Sequence, residues 1–290
     1  MGGAWTQAPV QGTRPPVCRK ALGRLALQTT TLLKMPVPDP LAEGAVLRQH
    51  PRMIGFRPLP DDHPALQHSP LLRAAERTLC FVRDVGPIGL TKTKAFKRSF
   101  VHWAARHVEW PGWSEEELLQ YHKVINEADF PPLELIHFLL LRLKLARHVK
   151  DEFRLTSRGK SLSAHRGQLF DQLVPFFLLR VDHSSYNRLK EKPVGSWDIW
   201  LNVLNAELAT PKSEAHLFGA FYGHGPDFYN DGWRAVVAFS QSVLKPLEWS
   251  GLITIEDAPV NERPTFRCAK TLLWNAALEL DGGPIFAAQK

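Results

Sequence analysis

From residue 70 onward, apolar positions recur at helical spacing along most of the chain. Ser69 can cap a helix, and Pro70 suits a first helical position. Leu71, Leu72, Ala75, Leu79 and Val82 then mark one helical face. Gly86-Pro87 should end that helix, because proline cannot continue it. A short extended segment, 88–91, leads to a predicted helix over 94–108 with the stripe Phe96, Phe100, Val101, Ala104 and Val108. Ser114 and Glu117 form a capping box that opens a helix running to about Asn126.

Pro131-Pro132 start the most apolar helix, which reaches about Ala146. It is followed by a tight hairpin, with strands at 147–149 and 153–155 around Lys150-Asp151-Glu152. A helix over 159–181 follows, with Pro175 inside it. After a linker at 186–195 the pattern restarts. Helices are predicted over 197–208, 213–222 and 231–249, the last ended by Gly251. Strands at 252–256 and 265–268 flank a turn at 259–264, and a helix over 271–280 closes the chain. Both halves therefore share a plan: a long helix, a hairpin and a helix headed by threonine. The expected fold class is mainly α, with tandem winged-helix-like units and short β-hairpins. The expected domains are an irregular or disordered segment at 1–68 and winged-helix-like units at 69–183 and 196–282.

Three short motifs carry a resemblance. Gly89-Leu90-Thr91-Lys92-Thr93, Leu143-Lys144-Leu145 and Arg154-Leu155-Thr156-Ser157-Arg158-Gly159 together resemble a helical winged-helix-like module. It occurs in bacterial plasmid ORF-3-like and insertion-element passenger proteins. The resemblance covers about 71–181. It implies the fold and a bacterial, cytoplasmic setting, and carries no chemistry onto any residue. The β-rich N-terminal domain usual in that family has no counterpart here.

Composition narrows the function classes. At 290 residues with 44% hydrophobic content the chain can bury a sizeable core. No apolar run approaches a membrane span, so no membrane partner is expected. Cys18, Cys80 and Cys268 are too few and too scattered for a disulfide framework or a Cys-rich zinc site, which suits a reducing compartment. The formal charge of +7 suits a polyanionic partner. Residues 1–34 carry arginines and lysines but no acid. They read as a disordered tail or as sequence preceding a true start at Met35. A transit peptide and a myristoylation site are weaker readings of the same stretch.

The candidate chemistry is electrostatic. Lys92, Lys94, Lys97 and Arg98 fall in an acid-free run, and Arg154, Arg158 and Lys160 surround the first hairpin and the helix start after it. Cations placed there can contact phosphates and release counterions. The helix before the first hairpin offers few side chains able to read bases. Its apolarity suits a core or a homodimer seam instead. Arg234, Gln241 and Lys245 fall at helical spacing on the second long helix, which is the better candidate for direct readout. Double-stranded DNA is thus the first expected partner. A non-enzymatic structural or protein-interaction module is the alternative. No metal site, cofactor or catalytic set is expected. The residue pair best placed for acid–base work, His224 with Asp227 or Asp231, lies in a loop rich in glycine and aromatics. Asp61-Asp62-His63, in the proline-rich lead-in, is the nearest approach to a ligand cluster.

Overall fold

The computed structural model describes residues 54–185, 190–223, 232–257 and 266–280. The loop at 224–231 and the N-terminal 53 residues lie outside them, and with them the acid–base pair and Cys18. The chain is mainly α with short antiparallel hairpins.

The first unit opens with helix α1 (Pro70–Asp84), capped by the Ser69 side chain as expected. Strand β2 (Ile88–Gly89) follows, then helices α2 (Arg98–His107), α3 (Glu115–Leu119) and α4 (Pro131–Arg142). Strands β3 (Ala146–Val149) and β4 (Glu152–Leu155) form the hairpin, followed by α5 (Ser157–Leu162) and α6 (Arg166–Arg180). The second unit repeats the order. Helix α7 (Trp197–Glu207) precedes strand β5 (Lys212–Ser213) and helix α8 (Glu214–Tyr222). One long helix then comprises α9 (Gly232–Phe239), a wider π segment (Ser240–Leu244) and α10 (Lys245–Ser250). Strands β6 (Ile253–Asp257) and β7 (Phe266–Lys270) form the second hairpin, and α11 (Leu272–Ala277) closes the unit. In each sheet the strand ahead of the helices pairs with the second hairpin strand, giving the orders β2-β4-β3 and β5-β7-β6.

The closure of the two units uses the same bonds up to the threonine, whose cap then reaches three residues on in the first unit and two in the second. Leu145 N–H donates to the Leu140 carbonyl, and Leu252 N–H to that of Leu247, each at 2.9 Å. Thr156 N–H donates to the Leu145 carbonyl and Thr271 N–H to that of Leu252, each at 3.0 Å. The threonine hydroxyls donate to the carbonyls of Lys144 and Gly251, at 2.8 and 2.6 Å. Those same hydroxyls accept from Gly159 N–H and Leu273 N–H, starting α5 and α11. Lys144 and Gly251 both adopt left-handed backbone, at φ 57° and 84°. Gly159 must be glycine, because a Cβ there would sit 1.9 Å from the Leu145 carbonyl oxygen.

Several boundaries differ from the sequence expectation. Helix α2 starts at Arg98 rather than Lys94, because Lys94 is left-handed and Leu90 bridges Phe96. Helix α3 stops at Leu119. Beyond it Ile125 turns into the core, and Asn126 takes a local bond from its backbone N–H to Asp129. The helix expected at 159–181 is split between α5 and α6, with the Asp61 carboxylate accepting from Gly167 N–H. The described part of the lead-in is ordered rather than irregular. Strand β1 (Gly55–Phe56) pairs with β8 (Leu278–Glu279), which also ends α11 early. Leu59, Ala65 and Leu66 are buried.

Helix α4 is buried along its whole apolar run from Pro131 to Leu140, by α1, β3 and the turn before it. It is core within its own chain, which removes it as a dimer seam. The second long helix also faces inward. Helix α10 packs on α1 and α6, and Trp249 meets Trp110 edge-on at 5.4 Å between ring centres. Gly251 lies against the His68–Ser69 backbone, where a Cβ would come within 2.3 Å of a carbonyl oxygen.

Candidate nucleic-acid interface

The first sheet has a buried and an exposed face, set by its register. His148 pairs with Phe153, and Phe153 with Ile88, on the inner side. Arg147 pairs with Arg154, and Val149 and Gly89 with Glu152, on the outer side. Lys97 lies across this outer face, its side chain so close over Gly89 that a Cβ there would meet it at 2.9 Å. The loop carrying Lys92 and Lys94 is clipped to the hairpin tip. Lys94 Nζ donates to the Lys150 carbonyl at 2.7 Å and pairs with Asp151 at 3.0 Å. The fold thus gathers Lys92, Lys94 and Lys97 with Arg147, Lys150 and Arg154 around one small sheet.

These cations differ in their local partners. Lys92 and Lys97 are exposed. Arg154 pairs with Glu152 at 2.5 Å. Arg98, in the first turn of α2, donates to Asn126 at 3.0 Å. Helix α2 has Lys97 at its N-cap position, with no side-chain cap and no acid in its first turn. Two cations thus stand at the positive end of a helix dipole, an arrangement that an anion relieves. Arg158 contacts Gln172, and Lys160 is exposed on α5.

The second set is placed less openly. Arg234 pairs with Glu191. Lys245 is mostly buried, bonds Glu248 at 2.8 Å and lies over the Trp249 ring. Gln241 is half-buried in the π segment. Two features set these three residues apart from the even helical spacing read in the sequence. A π turn holds more residues than an α turn, so the 3.6-residue spacing breaks between Arg234 and Lys245. The end of the helix is also covered by the first unit.

Directly beneath the first sheet lies a polar chain that sequence reasoning missed. Glu127, His137 and His148 come from the turn before α4, from α4 itself and from β3. The Glu127 carboxylate accepts from Phe96 N–H at 2.5 Å and bonds His137 Nδ1 at 2.7 Å. His137 Nε2 faces His148 Nε2 at 2.8 Å. Burial, with His137 and Lys94 beside it, pushes His148 down to about 4. His148 is therefore neutral at pH 7, one Nε2 donates to the other across the pair, and His137 Nδ1–H donates to the Glu127 carboxylate. His137 stacks on Phe96 at 3.9 Å and is fully buried. The only signal in the sequence was a histidine inside an apolar helix. Its partners lie 10 and 11 residues away in different elements.

Among the described residues no group of three or more His, Cys, Asp or Glu side chains is placed to hold a metal ion. Asp61, in the proline-rich lead-in, caps α6 and contacts His165. The Gly167 N–H holds its carboxyl below the usual range. No described helix is long and apolar enough to cross a membrane.

Fold and surface together define a mainly α protein of two matched units, the first carrying a basic sheet. Residues 67–168 match the family model of the Y4jL N-terminal domain, and residues 187–271 that of the y4jL C-terminal domain. The chain is 35% identical over 157 residues to the uncharacterized protein y4jL of Sinorhizobium fredii (strain NBRC 101917 / NGR234), covering 53% of this chain and 70% of the relative. It belongs to the y4jL family. No solved structure matches it.

Proposed function

We propose that this chain is a tandem winged-helix protein that holds duplex DNA by its phosphates, through the outer face of the first sheet. The observation that carries the reading is the gathering of Lys92, Lys94, Lys97, Arg147, Lys150 and Arg154 around β2, β3 and β4, beside the uncapped start of α2. The order of elements and the first–third–second strand order support the winged-helix assignment. They also agree with the resemblance of 71–181 to the plasmid ORF-3-like module. A cytoplasmic setting belongs to the same reading. Helix α4, buried, takes no part in reading bases, so the binding is weak in sequence preference.

Fluorescence anisotropy with a labelled duplex tests this. Expected is binding that weakens steeply with salt, with a log–log slope of roughly −3 to −5 for about four to five phosphate contacts. The triple variant Lys92→Glu, Lys97→Glu, Arg147→Glu should bind at least about tenfold more weakly with an unchanged circular dichroism spectrum. Absence of binding at low salt overturns the reading. It would favour the second one, a structural or interaction module without a nucleic-acid role. The inward packing of both long helices is the observation on that side.

A further inference from the structure

Residues 192–196 of the linker run beside Ser242 of the π segment, and with Val181–Ser184 and α7 they line an open cavity of about 260 Å³. Trp197 and Trp200 form one corner, perpendicular at 88° with ring centres 5.3 Å apart. Gly195, at φ 130°, passes so close to Trp200 that a Cβ would meet the indole nitrogen at 2.5 Å. Tyr222 steadies this linker by donating to the Val194 carbonyl at 2.9 Å. On the far side lies Ser242, within the π segment and 3% exposed. Its hydroxyl is buried without a hydrogen-bond partner.

Two features mark this cavity as more than a packing fault. A π turn inside a helix is costly and concentrates at functional positions. An unpaired buried hydroxyl costs free energy until something bonds it. The charged groups near the cavity already have partners. Asp182 pairs with Lys192 at 3.2 Å, and Asp198, in the first turn of α7, takes a bond from the Ser196 hydroxyl. His183 is fully buried and held down to about 4, so it stays uncharged. The lining favours a neutral ligand over an ion. The indole corner accepts a flat ring, face-on to one tryptophan and edge-on to the other. A dry cavity of about 150 Å³ holds benzene, so this one has room for a fused pair of rings.

We propose that this cavity binds a small neutral aromatic molecule, of one or two rings, whose single hydroxyl or amide group bonds Ser242. The claim is independent of the nucleic-acid reading. 2-Naphthol is a suitable probe, with naphthalene and 2-naphthoate for comparison. Titration of the full chain, followed by the indole N–H signals of Trp197 and Trp200 in NMR, should show saturable shifts with 2-naphthol. Those signals are assigned by Trp197→Phe and Trp200→Phe. Ser242→Ala should weaken 2-naphthol about tenfold while leaving naphthalene unchanged, because only the polar contact is lost. 2-Naphthoate should bind more weakly than 2-naphthol. The proposal is overturned if millimolar 2-naphthol leaves both indole signals in place. It is equally overturned if Ser242→Ala, folded by circular dichroism, binds 2-naphthol as the parent does, or if the carboxylate binds more tightly.

Discussion

His148 shows how one side chain ties the surface to the interior. Its ring is the outermost link of the chain that ends on Glu127, and it lies on the inner side of the strand carrying Arg147. In the unfolded chain it titrates near 6.5, whereas in the fold it resists protonation down to about 4. His183, fully buried, behaves the same way. A base whose pKa is depressed by folding stabilises the fold above its unfolded value. That contribution is lost as pH falls from about 6.5 towards 4. Thermal melts should therefore show a falling Tm between pH 7 and pH 5. His148→Gln, which keeps a donor but does not titrate, should lose less over that interval. An identical loss in variant and parent would show that this histidine does not drive it.

At the scale of elements, the repeated closure carries the clearest test. Both units turn from long helix to hairpin through a left-handed residue, but one uses Lys144 and the other Gly251. A side chain in that conformation costs about 1 kcal/mol. Lys144→Gly should therefore be neutral or slightly stabilising in urea denaturation. Gly251→Ala should cost several times more, about 2–4 kcal/mol, because its Cβ also meets the His68 carbonyl. Equal effects would mean that backbone conformation alone decides both sites. Much of this closure was legible in the sequence. Ser69, Ser114, Thr156, Thr271 and Gly251 act as caps where local chemistry places them. The π segment was not legible, since nothing in Ser240-Gln241-Ser242-Val243-Leu244 departs from an ordinary helical pattern. Nor was the Glu127–His137–His148 chain, because its members meet only through tertiary packing. The basic sheet was legible in part. The acid-free run and the hairpin cations stood out, while their meeting depends on strand register.

Across the whole molecule, the two units are joined by packing as well as by the linker. Helix α10 rests on α1 and α6, Trp249 on Trp110, and Gly251 on the start of α1. Denaturation should therefore follow one cooperative transition. Trp110→Ala, by emptying a buried aromatic site, should cost about 3–5 kcal/mol. Hydrogen exchange should show protection falling in α4 and α11 alike. Loss confined to the first unit, or two separate transitions, would show that each half folds alone.

The pairing of β1 with β8 sets an order of events during synthesis. Gly55 and Phe56 are made more than two hundred residues before their partners Glu279 and Leu278. The Ser69 end of α1 likewise meets Gly251 only after most of the chain has been made. The nascent first unit must therefore wait with the turn over 64–68, which carries Leu66, lacking its contact with α11. Final closure follows the synthesis of β8, and chaperone dependence should concentrate in the interval before it.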